Sequence, residues 1–250
     1  MEPRERKKAL ILGATSSIAQ AVARELARMD YDFHLVARDR ERLKAVGADL
    51  RARSTCRCSE QVFDFVEMER HSEVMEGAKE ALGGLDLALI AYGTMGNQRE
   101  CETNFGRVQE EVTTNFTSVA SILNLLTGFF EKQGSGSLAI ITSVAGDRGR
   151  KRNYIYGSTK GAISIYAQGL RNRLCRKGVH VLTIKPGFVD TPLTAHLVKN
   201  RFYVKPEVIA KDIVKALRKK REVVYTPWYW FWIMWGIRII PERIFKHFQL

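Results

Sequence analysis

Short apolar runs alternate along this chain with longer stretches in which apolar residues return every three or four positions. The runs at 9–12, 33–37, 61–63, 87–91, 138–142, 179–184 and 223–225 predict strands. Most are continuous rather than alternating, which marks strands covered on both faces. The periodic stretches between them, about 17–29, 39–47, 67–82, 105–131, 155–176 and 206–220, predict helices. Strand–helix alternation of this kind predicts an α/β fold: a doubly wound parallel sheet of about seven strands, with helices on both faces. Pro206 stands where a first helical residue is expected, and Pro186-Gly187 stops the chain after a strand. No internal repeat or low-complexity segment interrupts the pattern. With 250 residues the chain suits one large core. It is read as a domain over 1–225 and an extension over 226–250.

The extension breaks the pattern. All four tryptophans, Trp228, Trp230, Trp232 and Trp235, fall within it, so the expectation is that they lie outside the core. From 227 to 240 the segment would make a helix of about 21 Å, short of the ~30 Å needed to span a bilayer. Tryptophan and tyrosine favour the headgroup boundary. The residues that follow put Ile244, Phe245 and Phe248 on one helical side and Arg243, Lys246 and His247 largely on another, which predicts an interfacial amphipathic helix. The basic run Arg218-Lys-Lys-Arg221 would meet anionic headgroups. The alternative is an oligomer interface or a lid over the pocket.

Charge narrows the partners. Lys and Arg number 40 against 27 acidic residues, a net charge of +13, which favours anionic ligands. No aromatic-studded RNA motif or zinc-finger spacing is present, so nucleic acid is not an expected partner. The cysteines, Cys56, Cys58, Cys101 and Cys175, form no CxxC pair and read as free thiols in a reducing compartment, with no metal expected. The apolar run after the charged start is too short for a signal-peptide core or a membrane span. The expected location is the cytoplasm, peripherally on the inner face of the membrane.

Candidate chemistry begins after the first strand. Gly13-Ala-Thr15-Ser16-Ser17-Ile18-Ala19 leads into a helix, as a turn must do where backbone amides approach a pyrophosphate. Ser17 and Ala19 stand where glycine is commoner, so an ordinary strand-to-helix turn is the plain alternative. The second strand ends in Arg38 rather than an acidic residue, which favours NADP(H) over NAD(H), because a guanidinium can fork onto a 2′-phosphate. Asp64, after the third strand, is read either as an acceptor for the adenine amino group or as a helix cap. Tyr156 and Lys160 are four apart and share one helical face, where the cation would lower the phenol's pKa and make it a usable proton donor or acceptor. Ser143 ends the preceding strand, placed to hydrogen-bond a carbonyl oxygen.

In this order the residues resemble the classical short-chain dehydrogenase/reductase family, over roughly residues 8–225. The resemblance implies a Rossmann-type fold and a catalytic tetrad of Asn115, Ser143, Tyr156 and Lys160. It implies that Tyr156 protonates an alkoxide, that Ser143 stabilises it, that Lys160 also holds the nicotinamide ribose, and that Asn115 places a relay water. Lys185-Pro186-Gly187-Phe-Val189-Asp-Thr191-Pro resembles the family's Pro-Gly segment, which contacts the nicotinamide carboxamide. Ile90-Ala-Tyr-Gly93 stands at the Asn-Asn-Ala-Gly motif, and of that motif only Gly93 clearly matches.

Two further stretches speak to the substrate. Arg148, Arg150, Lys151 and Arg152 crowd the loop before Tyr156 and are candidates for a substrate phosphate. A solvated charge run is the alternative. Together with the aromatic tail, this loop resembles the decaprenylphosphoryl-2-keto-erythro-pentose reductases. That branch implies a lipid-linked keto-sugar substrate and a flavin oxidase partner, and the wider family implies a homo-dimer or tetramer. The rival readings are a reductase for another hydrophobic ketone (3-ketoacyl, 3-ketosphingoid or steroid-like) and a non-catalytic NADP-binding regulator or scaffold.

Overall fold

Alternate residues of each inner strand enter two different cores. In β1 (Lys7–Leu12), Ala9 and Ile11 point to one face while Leu10 and Leu12 point to the other, all fully buried. A computed structural model, describing residues 6–195 and 198–248, shows what covers the two faces. On one face lie α1 (Ser17–Ala27), α2 (Arg40–Arg53) and α8 (Pro206–Arg218). On the other lie α3 (His71–Leu82), α6 (Ser118–Gln133) and α7 (Tyr154–Leu174).

Between the layers run β1, β2 (Tyr31–Ala37), β3 (Cys58–Val62), β4 (Leu87–Ile90), β5 (Gly136–Ile141), β6 (Val179–Pro186) and β7 (Val223–Thr226). They form one all-parallel sheet in the order β3-β2-β1-β4-β5-β6-β7. The order reverses beside β1, so the crevice at the carboxyl ends of β1 and β4 is where an open α/β sheet offers a ligand site. Register brings Leu12 level with Val36 and Ile90, which sets Gly13, Arg38 and Gly93 around that crevice.

The fold class and all seven strands agree with the sequence pattern, with ends shifted by a few residues. The largest strand shift is at β3, which starts three residues before its expected place. Its side chains are mostly half-exposed at the sheet edge, so its polar sequence carries no apolar run. The expected helix over 39–47 runs on to Arg53, because Leu50 continues the buried face of Leu43, Val46 and Gly47 by another turn. The expected single helix over 105–131 is three pieces: α5 (Phe105–Val112), a π-helical turn at Thr113–Thr117, and α6. It is preceded by α4 (Gln98–Thr103), which the pattern did not reveal.

The extension departs further. After β7 the chain forms α9 (Tyr229–Ile239) and a single turn, α10 (Glu242–Phe245), in place of a longer amphipathic helix. Trp230 is buried with Met234 and Val144 in a third, smaller core, against Phe188 and Phe202. One of the four tryptophans is therefore interior after all. Trp228, Trp232 and Trp235 are 71%, 59% and 54% exposed. The run Arg218–Arg221 precedes β7 at the amino edge of the sheet, whereas α9 leaves from the carboxyl edge. No helix among the described residues is long and apolar enough to cross a membrane.

Candidate active site

The crevice opens into a cavity of about 550 Å³ along the carboxyl ends of the strands. Its floor begins at Gly13, whose φ of +82° suits glycine and whose Cβ, were there one, would lie 2.6 Å from the Tyr92 nitrogen. The tight turn aims the start of α1 into the cavity, lined there by Thr15, Ser16, Ser17 and Ile18. The first amides of a helix have no partner within it, which makes this end fit for a phosphate. Ser17 and Ala19 in place of glycine do not close the turn.

At the far end of the cavity stand Arg38 and a second cation that the sequence motifs do not mark, Arg42. Arg42 lies on the first turn of α2 and donates to the Thr15 carbonyl at 3.2 Å. The signal that could have found it is the cluster of Arg38, Arg40 and Arg42 directly after the second strand. Asp39 caps α2 by accepting from the Arg42 amide at 3.0 Å. Asp64 also lines the cavity; it accepts from the Val66 amide at 3.2 Å and so closes a local turn, not α3.

At the other end, Ser143, Tyr156, Lys160, Gly93 and the segment carrying Pro186, Gly187, Val189 and Thr191 line the same cavity. Gly93 (φ +155°) is required, because a Cβ there would meet Asn115 Oδ1 and Lys160 Nζ. Asn115 itself sits behind the wall, fully buried in the π turn, a distortion common at functional sites. Its Oδ1 accepts from the Thr94 amide at 2.9 Å, and its Nδ2 donates to the Thr94 carbonyl at 3.0 Å and to Glu111 at 2.9 Å. The carboxamide is thus committed to protein partners.

Burial dominates the electrostatics. It pushes the Tyr156 phenol up to about 12, with a hydrogen bond from Ser143 pulling down and the Glu111 charge adding to the rise. Burial also pulls the Lys160 ammonium down to about 8, opposed by Glu111. Lys160 Nζ lies 5.7 Å from the Tyr156 ring centroid. Burial thus acts on the phenol against the lowering that the spacing to Lys160 leads one to expect.

The four basic loop residues part company. Arg148 turns away from the cavity: its guanidinium donates to the carbonyls of Ile237 at 2.5 Å and Ile240 at 2.6 Å, pairs with Glu242 at 2.9 Å and stacks 3.8 Å from the Phe245 ring. It clamps the end of α9 and is not free for a substrate. Lys151 and Arg152 are exposed outside the cavity lining. Only Arg150 lines it. Its guanidinium makes no hydrogen bond or ion pair among the described residues, its Nε is buried without a partner, and desolvation pulls its pKa down against the charge of Asp147. Asp147 is held elsewhere, by Lys185 at 2.5 Å and the Tyr225 hydroxyl at 2.7 Å. Val144 and Phe188 of the third core line the cavity, and behind them the Trp230 indole packs so closely on Gly187 that no side chain would fit there. The described cysteines are unpaired, and no cluster fit for a metal exists among the described residues.

The family model for short chain dehydrogenase matches residues 7–201. The chain belongs to the short-chain dehydrogenase family. Its similarity extends along nearly the whole length of curated relatives. An uncharacterized oxidoreductase of Mycobacterium tuberculosis, Rv2073c, is 30% identical over 237 residues, covering 95% of each chain. Another, from the mprA 5′ region of Streptomyces coelicolor, is 32% identical over 238 residues, 95% of this chain and 94% of that one. The fold matches the crystal structure of levodione reductase with a TM-score of 0.82 at 20% identity, over 89% of this chain and 96% of that one. As a short-chain dehydrogenase the protein is an oxidoreductase that uses a nicotinamide dinucleotide. The Gly13 turn, the open start of α1 and the paired arginines fit such a cofactor.

Proposed function

We propose that this short-chain dehydrogenase reduces the ketone of an amphiphilic, phosphate-bearing substrate to a secondary alcohol, with NADPH as the preferred donor. The preference rests on Arg38 and Arg42, two cations lining one end of the cavity, where the neighbouring Asp39 is engaged in capping α2. Bound in the crevice, the reduced nicotinamide supplies the hydride. Ser143 donates a hydrogen bond to the carbonyl oxygen, and Tyr156 gives that oxygen its proton as negative charge develops. Lys160, held cationic behind Tyr156, stabilises the phenolate left behind. The raised phenol pKa suits this direction, because the proton is in place before the reaction.

The observation that carries the substrate class is Arg150. A guanidinium lining a cavity without a counter-ion favours an anionic group on the ligand. Trp228, Trp232 and Trp235 form an exposed aromatic stripe at helical spacing, beside exposed Arg238, Arg243 and Lys246. That composition supports contact with an anionic membrane surface, where a polyprenyl chain would remain while its phosphoryl keto-pentose enters the site.

The test is NADPH oxidation by the full-length protein in mild detergent, offered a polyprenylphosphoryl 2-keto-pentose. Turnover that Tyr156→Phe abolishes and Arg150→Ala greatly weakens supports the reading. Turnover with simple ketones alone, unchanged in Arg150→Ala, removes the phosphate assignment and leaves a reductase for another hydrophobic ketone.

A further inference from the structure

Glu111 is a buried acid that the tetrad does not account for. It lies on α5, four residues before Asn115, and is only 6% exposed. Burying a carboxylate is costly unless its charge is compensated. Its Oε1 accepts from the Gly96 amide at 3.0 Å and its Oε2 from Asn115 Nδ2 at 2.9 Å. Both donors are neutral, and Glu111 has no salt bridge among the described residues. The compensating charge must act at a distance.

The groups around it are few. From α7 it faces Lys160 and Tyr156. From α4 it faces the buried Cys101, with Glu100 next to it. On its own helix, Arg107 is paired with Glu110 at 2.8 Å and both are exposed. Lys160 is thus the one buried cation among these neighbours. The amide that Glu111 holds and the Lys160 ammonium both flank Gly93, where a single added Cβ would meet the two of them.

We propose that Glu111 is a positioning residue of the reaction. Its buried charge keeps Lys160 cationic and Tyr156 protonated, the state from which carbonyl reduction starts. Its two hydrogen bonds hold Asn115 and the Gly96 turn beside them. Both electrostatic effects have the same sign: Glu111 opposes the loss of the Lys160 proton and adds to the retention of the Tyr156 proton. A carboxylate in this place therefore extends the protonated form of the coupled pair to higher pH. The inference rests on the reading of Tyr156 as the acid.

The experiment is the pH profile of kcat/KM for NADPH-dependent ketone reduction in the full chain. In Glu111→Gln the alkaline limb moves about one unit to lower pH, and the rate at about pH 9 relative to about pH 7 falls roughly fivefold below the wild-type ratio. Glu111→Asp keeps the charge and returns the limb toward the wild-type position. NADPH binding at neutral pH, followed by nicotinamide fluorescence, reports that each variant is folded. If Glu111→Gln does not fold, Glu111→Ala removes the same charge and leaves the two donors to water. A uniform loss of rate with the limb unmoved would make Glu111 merely structural and overturn the proposal, as would an Asp variant that behaves like the neutral one. Turnover surviving in Tyr156→Phe would instead overturn the acid assignment, a separate failure.

Discussion

At the scale of single residues, the chemistry follows from types and spacings, but its tuning follows from burial. Tyr156 and Lys160 were legible because a four-residue spacing puts them on one helical face. Their proton affinities were not, because desolvation depends on what the rest of the chain packs around them. Lys160, pulled down to about 8, sets one expected outcome: kcat/KM for reduction holds steady below about pH 8 and declines above it, as the coupled pair loses its proton. A rate profile across the neutral and alkaline range checks this, and a decline that begins only near the ordinary lysine range would contradict it. Arg150 sets a second. A charge-assisted hydrogen bond is worth about 1.5–3 kcal/mol, so Arg150→Ala should lower kcat/KM for a phosphate-bearing ketone by roughly 10- to 100-fold. A neutral ketone of similar size should be spared, which a side-by-side assay of the two substrates decides.

At the scale of elements, the extension is a working part of the fold. Helix α9 lays Trp230 against Gly187 and Val144, so a segment beyond the last strand backs residues that line the site the first strand opens. Arg148 fastens its end. The last carbonyls of a helix have no partner within it and carry partial negative charge, and the guanidinium answers both needs at Ile237 and Ile240. Arg148→Ala should cost about 1–3 kcal/mol of stability and expose residues beyond 239 to proteases. Thermal unfolding and limited proteolysis would show it. An unchanged melting temperature with an intact tail would mean that the aromatic packing alone holds α9. Sequence periodicity placed this helix to within a few residues, yet it put all four tryptophans outside the core. Local pattern shows which residues share a helical face but not which face meets a neighbour. The π turn at Thr113–Thr117 was hidden for another reason: five residues are too short a stretch for a change of period to show against the helices on either side.

At the scale of the whole molecule, charge and aromatic surface decide where the site would be presented. The exposed tryptophans share the carboxyl-end side of the sheet with the cavity, while the basic run 218–221 lies at the opposite edge. The full chain should therefore sediment with anionic vesicles. Binding should fall when Trp228, Trp232 and Trp235 become Ser, and only modestly when Arg218–Arg221 are neutralised. Added salt should weaken it in part, since an apolar component remains. If the chain ignores vesicles and the same tryptophan changes dissociate an oligomer, the stripe is instead a subunit interface.

The sequence by itself determined the class of fold, the succession of strands and helices, the cofactor turn and the order of Ser143, Tyr156 and Lys160. Each of these is a local matter of period, spacing and residue type. Tertiary structure alone decided which of four neighbouring cations lines the cavity, that Arg148 belongs to the tail, that Trp230 is core, and that Glu111 stands behind Lys160. These depend on contacts between segments far apart in the chain. Arg148 meets Ile237 across 89 residues, and no local pattern records such a meeting.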